Sequence, residues 1–189
     1  MRWLLFQAAT VLWLLSGCSA LSSTRPAEVL DERSGMTVGR LQEPIELVQR
    51  APNAELVSGR RTSFAYLGPV EWDRSGDISY GLWIHVAPGN DRQVDDIHSP
   101  GAVTLKLDGD KLVLSPIEAP EVGMGPYRPI ASWGQSGFFE VNATMLNRMA
   151  ACEKLGVELR AVDKSVVDFV PSHETRTALT RFVRARGIN

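Results

Sequence analysis

Three histidines, two cysteines and Ser136 are the residues with which this chain could do chemistry. Asp95, Asp96 and His98 stand together in a polar loop, a combination that can hold a divalent ion. Zinc sites use three or four ligands, however, and the chain has no H-x-x-x-H or H-E-x-x-H spacing to complete a set. That loop is therefore expected to be solvated, with no metal and no cofactor. His85 follows Trp83 by two residues in a strand-like run, so both share a face and could contact a ligand. The alternative for His85 is a half-exposed cross-strand pair. His173 falls in the first turn of the last helix, where the positive helix end disfavours a charged imidazole. Gly134-Gln135-Ser136-Gly137 is G-x-S-G, one residue short of the G-x-S-x-G elbow of a serine hydrolase. Gly123-Met124-Gly125-Pro126 lacks the lysine of a phosphate-binding loop. Cys152 shares a helical face with Met145, Leu146 and Met149 and reads as a buried, inert thiol. No reactive constellation emerges, so a non-enzymatic role is favoured. Trp83, His85, Tyr127 and Trp133, near two long loops at 88–101 and 116–137, are the candidate ligand-contacting residues.

The elements that must position these residues are mostly short strands. Thr37 to Leu41 and Ile45 to Gln49 flank Gln42-Glu43-Pro44. A strong hairpin follows, with Phe64, Tyr66, Val70 and Trp72 on one parity and Tyr80, Leu82, Ile84 and Val86 on one parity of the next strand. A five-residue connection, Asp73 to Asp77, joins them, and Gly68-Pro69 suggests a bulge or a sheet edge. Val103 to Leu107 and Leu112 to Ser115 form a second hairpin around Asp108-Gly109-Asp110. After a strand near Phe138 to Val141, a helix starts at the N-cap Asn142 and stops at Gly156. Strands at Val157 to Val162 and Val166 to Val170 precede a last helix that buries Ala178, Leu179, Phe182 and Val183 and ends at Gly187. The predicted fold is mainly β with two C-terminal helices (α+β): an antiparallel β-sandwich or a curved sheet capped by helices. A variant of it gives the last fifty residues their own βαββα layer.

The first eighteen residues carry an address. Arg2 is followed by an apolar run from Trp3 to Leu15, which is too short for the roughly 20 residues of a membrane-spanning helix. It ends in Leu15-Ser16-Gly17-Cys18, and this junction resembles the lipobox of bacterial lipoproteins. The resemblance implies cleavage between Gly17 and Cys18, diacylglycerol on the Cys18 thiol and acylation of the new amino terminus. Ser19, rather than aspartate, then points to the outer membrane facing the periplasm, with the periplasmic face of the inner membrane as the alternative. Under this reading residues 1–17 are a signal peptide and 18–35 the lipidated cysteine and a flexible tether. Residues 36–189 form a single β-rich domain. Seventeen tether residues could reach about 55 Å.

Charge and cysteine count bound the partners and the covalent chemistry. The chain has 189 residues and a formal net charge of −2, too little positive charge for general phosphate neutralisation, so nucleic acid is not an expected partner. With Cys18 acylated, Cys152 has no intramolecular disulfide partner. The stretch Tyr66-Leu67-Gly68-Pro69-Val70-Glu71 through Ser79-Tyr80-Gly81-Leu82-Trp83 is similar to uncharacterised bacterial envelope lipoproteins, which implies no catalytic residues. The expected function is a membrane-anchored binding or accessory protein whose partner is an envelope protein, glycan or lipid. The alternative is an envelope-modifying enzyme with its site in the 88–101 and 116–137 loops.

Overall fold

The computed structural model describes residues 25–50, 63–89, 93–121, 125–171 and 175–188. Cys18, its neighbours and His173 lie outside the described residues. Among the described residues, eleven strands form one curled antiparallel sheet, and two helices follow late in the chain. The strands are β1 (Pro26–Asp31), β2 (Met36–Leu41), β3 (Ile45–Gln49), β4 (Phe64–Arg74), β5 (Asp77–Ala87), β6 (Val103–Leu107), β7 (Asp110–Val113), β8 (Pro116–Ile117), β9 (Gln135–Glu140), β10 (Leu155–Arg160) and β11 (Val166–Pro171). The helices are α1 (Ala143–Ala151) and α2 (Thr175–Ala185). The main path runs β7-β6-β10-β11-β3-β4-β5-β9-β8, while β2 adds to β4 and β1 adds to β2. The curved-sheet form of the expected fold is thus the one adopted. The last fifty residues do not make a separate layer, because β10 and β11 lie inside the common sheet.

The two hairpins are tighter than their sequences suggest. Arg74 pairs with Asp77 and Leu107 with Asp110, leaving two-residue connections at Ser75-Gly76 and Asp108-Gly109. All four connecting residues have positive φ, the geometry whose twist matches that of the flanking strands. Asp73 Oδ1 accepts the Gly76 N–H at 2.7 Å. Asp108 Oδ1 accepts the N–H groups of Glu153 and Lys154, tying the second turn to the chain entering β10.

Strand β4 is the axis of the fold. Its first half pairs with β3, from Phe64↔Val48 to Leu67↔Ile45. Its second half pairs with β2, from Val70↔Arg40 to Asp73↔Thr37. Gly68-Pro69 falls at the changeover, so the proline, which has no N–H, sits where neither neighbour reaches. The bulge or edge expected there is instead a fork inside an unbroken strand paired along its other side with β5.

Tyr66, Gly68, Val70 and Trp72 share what we term the front face with Trp83 and His85, their partners or near neighbours on β5. Ala65 and Leu67 share the back face with Val86, Ile84 and Leu82. The two one-parity sets read from the sequence, one with Tyr66 and Trp72 and the other with Leu82 and Ile84, thus lie on opposite faces. Both faces are covered in this hairpin, and every residue from Gly81 to Ala87 is buried, so alternation carries no signal there.

Both helices bear out their expected faces, with one boundary corrected. Asn142 caps α1 by accepting the Met145 N–H at 2.8 Å, and Leu146 and Met149 are buried. The helix ends at Cys152, not Gly156, which lies within β10. A Cβ on Gly156 would sit 3.1 Å from the Phe169 carbonyl oxygen, so the glycine serves strand packing rather than a helix stop. Helix α2 buries Ala178, Leu179, Phe182 and Val183. It closes with Gly187 N–H on Arg184 C=O and Ile188 N–H on Val183 C=O, the paired bonds of a Schellman end, with Ile188 buried.

That helix end delivers Arg186 to the back face. Its guanidinium lies 3.4 Å from Glu71 of β4 and 2.7 Å from Glu28 of β1. Glu71 is buried, and burial raises its carboxyl pKa against the pull of Arg186. Replacing Arg186 by methionine should strand that carboxylate and cost about 3–5 kcal/mol at neutral pH in urea denaturation. Adding Glu71→Gln to that variant should recover most of the loss.

Candidate functional site

Four rings line up along the front face. Tyr66 and His85 are 6.1 Å apart, His85 and Trp83 are stacked at 5.7 Å, and Trp83 and Tyr127 are stacked at 5.1 Å. Arg40 of β2 lies over Tyr127, 5.9 Å from its ring centre. The first three rings come from β4 and β5, where the register sets Tyr66 opposite His85. The fourth comes from the loop before β9, which lies across the front face between residues 125 and 134.

Tyr127 fastens that loop at the fork in β4. Its hydroxyl donates to the Pro69 carbonyl at 2.9 Å and accepts the Leu41 N–H at 2.9 Å. These are the groups left unpaired where β4 changes partner, so the phenol completes the ladder. Its ring lies flat on Gly68, where a Cβ would come within 2.3 Å of ring carbons. Burial raises the phenol pKa, keeping it neutral.

His85 fastens the other end. It is fully buried, its Nε2 accepts the Ala131 N–H at 3.3 Å, and Gly134 packs against its ring. A backbone N–H can only donate, so Nε2 is the unprotonated nitrogen. Nδ1 then carries the proton and donates to Ser136 Oγ at 2.8 Å. In this tautomer the imidazole is a donor towards the serine, the reverse of a general base that activates a nucleophile. Burial lowers the imidazole pKa, and a backbone hydrogen bond with Gln135 offsets only part of that cost.

The Asp95-Asp96-His98 group is occupied in the same structural way. Arg160 Nε lies 2.9 Å from Asp95 Oδ2, and this hydrogen bond holds the Asp95 carboxyl below its ordinary pKa. Asp96 Oδ1 accepts the His98 N–H, and His98 Nε2 bonds the Ser136 carbonyl oxygen at 3.1 Å. His85 and His98 thus meet the same residue, Ser136, one through its side chain and the other through its backbone. Among the described residues no group of three or more His, Cys, Asp or Glu side chains is arranged to hold a metal. Cys152 is buried, its Sγ bonds the Met149 carbonyl, and burial raises its thiol pKa.

Of the four candidate ligand-contacting residues, Trp83, His85 and Tyr127 are packed inside, and Trp133 stands 69% exposed. What the loop does leave open is a groove of about 980 Å³ along its outer flank. Val38 and Arg40 of β2, Tyr66 of β4 and Glu46 of β3 line it, with Leu30 of β1 and Ile130 of the loop at its sides. Leu30 is 61% and Ile130 55% exposed. The sequence reading missed Leu30 because it assigned residues 18–35 to a tether. Val29-Leu30 between Pro26 and the Glu32–Gly35 turn was the available signal, and β1 in fact pairs along its whole length with β2.

Two outcomes test this arrangement. Tyr127→Phe leaves the Leu41 N–H and the Pro69 carbonyl buried without partners and should cost about 1–3 kcal/mol in urea denaturation. The His85 pKa is lower folded than unfolded, so its contribution is complete above about pH 6.5 and is lost as pH falls below that. Stability should decline between pH 7.5 and 5.5 by up to about 1.4 kcal/mol per pH unit once His85 titrates in the unfolded chain. The raised Glu71 pKa opposes this at the acidic end. His85→Gln should flatten the profile, and nitrogen NMR shifts should report a neutral, Nδ1-protonated ring.

Comparison of the chain with protein-family models, with curated proteins and with solved structures found no match.

Proposed function

We propose that this protein is a bacterial lipoprotein, anchored through Cys18 to the outer membrane and facing the periplasm. Its role is non-enzymatic: it binds an envelope component, or assists one, through the front-face groove. The observation that carries the reading is Leu15-Ser16-Gly17-Cys18 behind a charged start and a short apolar run. One acyl chain anchors marginally, while two or three hold a protein on a bilayer stably.

Binding is favoured over catalysis by the state of the polar groups. The basic nitrogen of His85 is taken by Ala131, Asp95 by Arg160, and Ser136 receives a proton rather than giving one. An enzyme of the 88–101 and 116–137 loops would need one of these freed. The groove, by contrast, offers exposed apolar side chains beside Arg40 and Glu46 on a framework fixed by Tyr127. A protein, glycan or lipid of the envelope is the class of partner that suits it.

Cys18→Ala should abolish incorporation of a fatty-acid analogue and leave uncleaved precursor. Labelling that persists in this variant would refute the anchor site. Crosslinking from the groove residue Gln42 in intact cells should capture an envelope component, whereas turnover of envelope material by the purified protein would favour the enzymatic alternative.

A further inference from the structure

We infer that the exposed side of the covering loop beside the groove, carrying Ile130 and Trp133, seats directly in the lipid interface of the bilayer that carries the anchor. This rests on the acylation of Cys18 and goes beyond it, since a tether alone does not orient the body it holds.

Three observations converge. First, β1 begins at Pro26, so only residues 19–25 separate Cys18 from the sheet. Seven residues span about 25 Å at most. A compact body of some 160 residues is roughly 40 Å across, so its far side cannot be brought to the membrane.

Second, the chain joins the fold beside the groove. The Arg25 carbonyl accepts the Gln42 N–H at 2.8 Å, and Gln42 lines the groove. The adjacent Leu41 N–H is the one bonded to Tyr127, within the loop that carries Ile130 and Trp133. The short tether therefore leaves from the edge of this same surface.

Third, the loop has the chemistry of an interfacial segment. Arg128, Pro129, Ile130, Ser132 and Trp133 are exposed, while Tyr127 and Ala131 are bonded inward. A tryptophan with an apolar neighbour and one long cation suits the headgroup region, where the indole ring is half in hydrocarbon and an arginine reaches back to water. Charges along the groove are mixed, with Arg40 and Arg128 beside Asp31, Glu43 and Glu46. Seating accordingly needs no anionic lipid.

Trp133 makes the inference measurable. Trp72 and Trp83 are buried, and Trp3 and Trp13 leave with the signal peptide under the anchor reading. The full chain, produced in a bacterial host and purified, would first be weighed by mass spectrometry for acyl addition at Cys18. It would then be placed in phosphatidylcholine vesicles with or without brominated acyl chains. The emission component removed by Trp133→Phe should be quenched at least twofold by the brominated lipid, with or without added phosphatidylglycerol. An Ile130→Glu variant should keep its acyl mass and circular dichroism but lose that quenching. Acylated protein with an unquenched, water-like Trp133 would overturn the docking while leaving the anchor intact. Unacylated protein quenched by added vesicles would support the docking and refute the anchor. An unquenched Trp133 with concentration-dependent crosslinking across this face would overturn the docking in favour of a second copy.

Discussion

An eleven-residue strand that must serve two neighbours in succession on one side leaves a gap in its ladder, and here a single phenol fills it. Strand β4 passes from β3 to β2 at Gly68-Pro69, and the Tyr127 hydroxyl joins the Leu41 N–H to the Pro69 carbonyl across the break. Such backbone groups have large desolvation costs when buried unpaired. The residue that meets this cost lies more than fifty positions away in a loop, so ladder and loop hold each other in place. Glycine at position 68 is what lets the ring approach.

The same covering loop explains why the polar residues of this region are quiet. His85 is kept neutral by burial, its lone pair is used by a backbone amide, and its proton is given to Ser136. The histidine is a clamp that fixes where Ile130 and Trp133 protrude. On the opposite face, Arg186 does a comparable task with charge, drawing the end of α2 onto β4 and β1 through Glu71 and Glu28. One face is thus secured by stacked rings and the other by an ion cluster.

Much of this was legible in the residues. Turn residues marked both hairpins, Asn142 announced α1, and the period of Ala178, Leu179, Phe182 and Val183 gave the buried side of α2. What could not be read has physical causes. Between Gly81 and Ala87 both faces are covered, which erases the alternation that tells inside from outside. The role of Tyr127 depends on a contact 86 positions distant from Leu41, which no local pattern encodes. Strand β1, rich in exposed positions, looks like solvated chain until its pairing with β2 is known. The groove was missed for the same reason, since one of its sides is that strand.

The place of β10 and β11 in the sheet has a temporal meaning. They are the last strands to leave the ribosome, yet they sit between the β6–β7 hairpin and β3. Until about residue 171 is available, that hairpin meets the earlier strands only through β8 and β9, and the edges of β6 and β3 stay open. A nascent chain of this sequence therefore carries two open strand edges, and it needs shielding from its neighbours until its closing segment emerges.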